Sequence, residues 1–179
     1  MPIDESQPLT LPIEPIDHVR GPADVKPELV WYGDYECDYC GRVFPLVQQL
    51  LKEQGERFRL IYRHFPLSNI HPHASAAAQA AEAANAQGKF WDMHDLLFKN
   101  QDHLADADFG HYALRVGLEP YKFSSDIGSQ RFAARVARDH QSGVASGVKG
   151  TPTFFVNGFR FKGAPTVETL SEALFDAQK

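Results

Sequence analysis

Leu29-Val30-Trp31-Tyr32-Gly33-Asp34-Tyr35-Glu36-Cys37-Asp38-Tyr39-Cys40 is the stretch on which the reading of this chain turns. It opens on an unbroken apolar run, Leu29 to Tyr32, short enough for a buried strand over 28–33. From Cys40, the positions Phe44, Val47 and Leu51 recur at three- and four-residue steps, which is one face of a helix. Pro45 lies inside that helix and is expected to kink it, because proline removes a backbone hydrogen bond. The two cysteines are the only ones in 179 residues. Random placement gives their three-residue spacing in about 1% of cases, so the pair reads as a working unit. A Cys-x-x-Cys at a strand-to-helix junction can be activated, oxidised to a disulfide and re-reduced.

Working outward, Phe58 to Arg63 alternates as a second strand that ends before Pro66. A parallel pairing of the two strands with a right-handed crossover is expected. Residues 1–26 read as an extended, proline-punctuated lead-in, contributing one edge strand around Ile16–Val19. From His71 to Gly147 the pattern is helical. Pro72 suits a first turn, Ala74–Ala86 has high helix propensity and Gly88 supplies a stop. Helical faces then recur at Phe90-Met93-His94-Leu97, at Phe109-Tyr112-Ala113-Val116, after Pro120, and at Phe132-Val136-His140-Val144. Thr153–Val156 and Phe159–Phe161 flank Asn157-Gly158, a strong signal for a type I′ hairpin. A closing helix is expected from about Thr166 to Ala177. The fold class is therefore α/β, a sheet interrupted by an all-helical insertion. Its parts are 1–26 (lead-in), 27–68 (strand–helix–strand with the Cys pair), 69–147 (insertion) and 148–179 (hairpin and last helix).

Composition narrows the function. Hydrophobic content of 43% with 23% charged residues is ordinary for a globular protein. A net charge of −5 and a pI near 5.9 give no electrostatic reason to expect nucleic acid as a partner. No apolar run reaches the roughly 18 residues of a membrane span. The lead-in has neither a basic n-region nor an apolar h-region, so the expected location is cytoplasmic, with the periplasm as the alternative. Two cysteines cannot build a multi-disulfide scaffold.

A thiolate, not a thiol, attacks disulfides. Cys37 would stand at a helix N-terminus, where unpaired amides favour the anion. Cys40, one turn further in, is better shielded and can resolve a mixed disulfide. Cys37 as nucleophile and Cys40 as resolver follow from position.

Three segments then carry a resemblance: Gly33 to Cys40, Tyr62-Arg63-His64-Phe65-Pro66-Leu67, and Gly150-Thr151-Pro152-Thr153-Phe154-Phe155-Val156-Asn157-Gly158. With Gly88 to Phe98 between them, they resemble the bacterial DsbA-like family over roughly residues 16–178. The resemblance implies a thioredoxin-like fold with a helical insertion and a thiol–disulfide oxidoreductase without a cofactor. It implies a protein or small-molecule disulfide as substrate and a redox partner for recycling. It also implies that Pro152 is cis and lies against the Cys pair, leaving the backbone of Thr151 to pair with an extended substrate. Tyr39, between the cysteines, is expected to contact that substrate; Trp91 has a weaker case, and Phe90 is expected in the core.

Two departures from the family pattern matter. The residues between the cysteines are Asp38-Tyr39, where DsbA has Pro-His. An anionic Asp38 at about 6–7 Å would disfavour the Cys37 thiolate by roughly 1–2 kcal/mol. The dithiol should then be more reducing than its relatives, leaning to reductase, and Asp38 also suits a helix N-terminus as a plain surface acid. The buried acid that many relatives carry six residues before the nucleophile is here Trp31. Asp34, Glu36 and His64 are the nearer candidates for tuning the pair or moving its protons, with water as a further acceptor.

Other readings stand beside this one. His71-Pro72-His73 invites a metal, but two histidines two apart share no helical face, and no metal is expected there. His94 and His140 read as satisfied core residues. The Cys pair could instead serve a metal- or cluster-binding module, though each tetrahedral site would need further ligands. A peptide-binding, chaperone-like domain with incidental cysteines is the third class.

Overall fold

A computed structural model describes residues 2–176; Ala177, expected in the closing helix, lies outside them. Strand β1 spans Ile3–Pro8, β2 His18–Arg20, β3 Glu28–Gly33, β4 Arg59–His64, β5 Thr153–Val156 and β6 Phe159–Phe161. They form one sheet in the order β1-β6-β5-β3-β4-β2. β3 and β4 are parallel, and helix α1 (Asp38–Gln54) makes the crossover between them. β5 runs antiparallel to β3, and the hairpin turn puts Asn157 and Gly158 at φ 49° and 86°, as a type I′ turn requires.

The lead-in supplies two edge strands where one was expected. β2 pairs with β4, while β1 pairs with β6 on the opposite edge. Ile3-Asp4-Glu5-Ser6-Gln7-Pro8 has no apolar alternation to announce a strand. Backbone pairing and the Asp4–Lys162 ion pair hold it, and neither has a sequence period.

Alternation along the central strands divides the core into two faces. Leu29, Trp31, Leu60, Tyr62, Phe154 and Val156 face one side, and Val30, Tyr32, Ile61 and Phe155 the other. The insertion lies between β4 and β5 as helices α2 (Ala74–Asn85), α3 (Phe90–Lys99), α4 (Asp106–Arg115), α5 (Pro120–Gly128) and α6 (Ala133–Ala145). Among the described residues, no helix is long and apolar enough to cross a membrane. Five alanines of α2, at 77, 80, 81, 83 and 84, are wholly buried, so this helix fits where larger side chains would push its neighbours apart. α6 returns to the second face, and a Cβ on its Gly143 would fall 2.6 Å from the Phe65 ring. The last helix, α7 (Val167–Phe175), packs beside α1 through Leu170, Ala173 and Leu174. Pro45 does not end α1; its side chain is exposed and the helix continues to Gln54.

The second face also buries an ion pair. Arg63 is fully buried and grips Asp17 at 2.9 and 2.8 Å, while its remaining N–H groups bond the carbonyls of Leu11 and Pro12 and the Tyr32 hydroxyl. The lead-in is thereby fastened across the sheet.

Candidate active site

The turn from β3 into α1 is organised by Asp34, which is 2% exposed. Its main-chain carbonyl accepts the Cys37 N–H at 3.2 Å. Its Oδ1 accepts the Glu36 N–H at 2.8 Å, and its Oδ2 the Leu67 N–H at 2.9 Å. Cys37 is the N-cap of α1, in extended backbone (φ −76°, ψ 122°), with no side-chain capping bond. A sulfur thus stands where a capping oxygen usually would, next to amides that lack helical partners. From the insertion, the Gln101 amide donates to the carbonyls of Tyr35 and Cys37, both at 2.9 Å. Gly41 makes room for it: a Cβ there would lie 1.9 Å from Gln101 Oε1.

Both cysteines are free thiols, and their surroundings pull them apart. Cys37 is 4% exposed and Cys40 not at all. The Cys37 thiol is lowered to about 5, chiefly by the hydrogen bond from Cys40, with burial opposing and the Thr151 hydroxyl and the amides of Cys40 and Tyr39 assisting. Thr151 Oγ1 is buried and makes no other hydrogen bond. Burial, then the hydrogen bond to and charge of Cys37, push the Cys40 thiol well above its usual range. At neutral pH the pair is therefore one thiolate and one thiol.

Asp38 does not prevent this. It is the first residue of α1 and exposed, so water screens its charge while the donors around Cys37 act at contact. The expected penalty is outweighed.

Thr151 and Pro152 stand against Cys37. The Cys37 Sγ lies 3.5 Å from the Thr151 carbonyl oxygen, and the Thr151–Pro152 peptide bond is cis, as is Lys26–Pro27. Tyr39 is 65% exposed, with Arg42 5.3 Å over its ring. Together with Val43, Leu46, Pro152 and Phe154 they line a cavity of about 340 Å³. Phe90 is buried against the His18 ring, and the Trp91 indole N–H donates to the Val19 carbonyl; neither lines that cavity.

The remaining candidates are distributed differently from expectation. Trp31 is core, stacked on Phe98 at 5.2 Å, and supplies no acid. His64 is occupied by Glu82, Nε2 to Oε1, at 2.8 Å. Strand alternation explains this: Tyr62 and His64 share a face, and at the end of β4 that face meets α2. Asp34 and Glu36 do flank Cys37, but each is engaged by a histidine of the His71-Pro72-His73 segment, at 2.7 and 2.9 Å. Those two histidines and Gln101 are the site residues that sequence reasoning missed. The acid–x–acid and His-x-His spacings match, and that was the available signal. His94 is buried and only half satisfied: Nδ1 shares a hydrogen bond of 2.9 Å with the Tyr35 hydroxyl and Nε2 has no partner. His140 is half-buried, stacked on Phe65 at 4.3 Å.

One further group has metal-ligand chemistry. His18, His64 and Glu82 bring donor atoms within 4.8 Å of one another, all buried. Both Nε2 atoms approach the same oxygen, Glu82 Oε1, at 2.5 and 2.8 Å. Tetrahedral zinc with bonds of ~2.0–2.1 Å would hold its ligand atoms roughly 3.3 Å apart. These contacts are hydrogen bonds joining β2, β4 and α2.

Comparison with known proteins agrees with the geometry. A family model described as Thioredoxin matches residues 14–176. Among curated proteins, Na(+)/H(+) antiporter NhaA 3 of Salinispora tropica is 46% identical over 170 residues, 94% of this chain and 26% of that protein. NhaA 1 of Mycobacterium sp. (strain KMS) is 40% identical over 169 residues, 93% of this chain and 28% of that protein. The chain thus spans about a quarter of the length of these relatives. Among solved structures, a thioredoxin-like oxidoreductase from Silicibacter pomeroyi DSS-3 superposes with a TM-score of 0.79 at 27% identity, covering 92% of this chain and 94% of that one. The thiol-disulfide exchange protein alpha-DsbA2 from Wolbachia pipientis gives 0.79 at 20% identity, covering 93% and 89%. The chain belongs to the thioredoxin family, and within it has a DsbA-like fold.

Proposed function

We propose that Cys37 and Cys40 exchange electrons with a disulfide presented by an extended peptide, and that in reducing surroundings the reaction runs as substrate reduction. The opposed environments of the two sulfurs carry this reading. The Cys37 thiolate attacks one substrate sulfur, the substrate S–S bond breaks, and its other sulfur leaves as a thiolate that takes up a proton. Cys40 then loses its proton and attacks the Cys37 sulfur of the mixed disulfide. The Cys37–Cys40 bond forms, the second substrate thiolate leaves, and two electrons have passed to the substrate. The cavity lined by Tyr39 and Pro152, which flank Cys37 in sequence and in space respectively, supplies an apolar wall for that peptide.

Direction depends on potential and compartment. A Cys37 value of about 5 lies between the ~7 of thioredoxin and the ~3.5 of DsbA, which supports an intermediate potential. The cytoplasm is the setting we propose, with an unidentified dithiol as recycling partner. The 46% identity to a segment making up 26% of a Na(+)/H(+) antiporter supports a membrane transport protein as a further candidate partner.

One variant tests both chemistry and partner. Cys40→Ser should accumulate mixed disulfides through Cys37 in cells, releasable by dithiothreitol, and Cys37→Ser should accumulate none. Equal trapping by both variants, or insulin reduction undiminished by Cys37→Ser, would sink the proposal. Alkylation in intact cells reads the direction: a mostly oxidised pair argues against a reductase.

A further inference from the structure

Two carboxylates, Asp34 and Glu36, stand directly ahead of the nucleophile. An unneutralised carboxylate so placed opposes a thiolate on Cys37. Asp34 matters most, because it is almost wholly buried and its main chain is hydrogen-bonded to Cys37. Both acids are met from across the turn. His71 Nδ1 lies 2.7 Å from Asp34 Oδ2, and His73 Nδ1 lies 2.9 Å from Glu36 Oε1. The His73 main-chain N–H also donates to Glu36 Oε2 at 2.7 Å. Pro72 between the histidines restricts their backbone, which helps hold the imidazoles at the pitch of the two acids. The segment is itself anchored, since the N–H groups of Ile70 and His71 both donate to the Leu67 carbonyl while Leu67 N–H donates to Asp34.

We propose that His71, held by Asp34 and backed by the His73–Glu36 pair, is a positioning residue for thiol–disulfide exchange. Its imidazolium cancels the buried carboxylate beside Cys37 and so sets the thiolate content and reduction potential of the dithiol. The inference rests on Cys37 being the attacking sulfur. The charged groups facing His71 are Asp34, Glu36 and Cys37, all from the β3–α1 turn. Burial lowers its proton affinity, but the Asp34 hydrogen bond and these three charges outweigh that and raise it above the ordinary value. The coupling is reciprocal: a thiolate that favours the imidazolium is favoured by it. The donors touching Cys37 act more strongly, so His71 tunes the pair by several-fold without switching it on or off.

The test is His71→Gln, which can keep an N–H for Asp34 and loses the charge. At pH 6 the dithiol–disulfide equilibrium with glutathione should move toward the disulfide by about three- to tenfold, tenfold being ~30 mV. The Cys37 thiolate absorbance should titrate at higher pH. At a pH above the range in which the His71 ring titrates by NMR, variant and wild type should coincide. No difference at pH 6, or the same difference below and above the His71 titration, overturns the proposal. Wild type alone supplies a second reading: its potential against pH should bend where the His71 ring titrates by NMR, and a line unbroken there counts against it. If Cys37 and Cys40 form no disulfide at any glutathione ratio, the oxidoreductase reading fails; if they do and His71 has no effect, only its role falls.

Discussion

The protein contains two histidine–carboxylate clusters built from the same groups and placed at different depths. In the triad, His18 and His64 converge on one oxygen of Glu82, and all three are at most 6% exposed. In the ladder, His71 and His73 pair one to one with Asp34 and Glu36, and the His73 side chain is 48% exposed. The triad bonds β2, β4 and α2 together, so its chemistry goes into holding the insertion on the sheet. The ladder borders Cys37 and stays within reach of water and protons. Depth decides which of the two can serve the reaction.

The largest expected effect breaks the triad. Glu82→Ala leaves two buried imidazoles without their acceptor and should cost about 3–5 kcal/mol of unfolding free energy. Glu36→Gln, in the ladder, should change stability by less than about 1 kcal/mol. Urea midpoints measure both, and comparable losses would abolish the distinction between them.

A smaller effect separates the clusters by pH. Burial raises the Glu82 carboxyl, but the hydrogen bonds and charges of His18 and His64 outweigh it and hold the group well below its ordinary value of 4.5. Its contribution is therefore present above that value and lost as pH falls below it. His71 is raised, so its contribution is fully present below its ordinary value of 6.5 and fades as pH climbs through the folded value. Melting temperatures across pH should show Glu82→Gln flattening the acid limb and His71→Gln the neutral-to-alkaline limb. Both variants acting on one limb would contradict the assignment.

The smallest effect belongs to Asp38. Because its side chain is exposed, Asp38→His should raise the reduction potential and lower the Cys37 value by less than tenfold in equilibrium constant, or about 30 mV. Equilibration with glutathione checks the sign, and a lower potential in the variant would remove Asp38 from the tuning groups.

Much of this arrangement was legible in the sequence where local pattern and tertiary role coincide. Leu29 to Tyr32, the helix after Cys37 and the Asn157-Gly158 hairpin declared themselves through period and turn chemistry. What was not legible depends on distance along the chain. Asp34 and His71 are 37 residues apart and share no period, and Gln101 reaches Cys37 from 64 residues away. His64 misled because nearness in sequence to Tyr62 and Phe65 says nothing about which helix covers its face. β1 was missed because its pairing is made by main-chain atoms that every residue possesses.

The contact between Gln101 and Gly41 limits how the molecule could be reduced to a smaller catalyst. The insertion resembles an appendage that could be trimmed to leave the sheet, α1 and α7. Yet Gln101 donates to two carbonyls at the head of α1, and only the Cys37 one also receives a helical bond, from the Gly41 N–H at 3.0 Å, among the described contacts. A shortened version would begin its catalytic helix with each of those oxygens short of a donor and a vacant niche above Gly41. A designer who removes the helices must first supply a substitute for one amide.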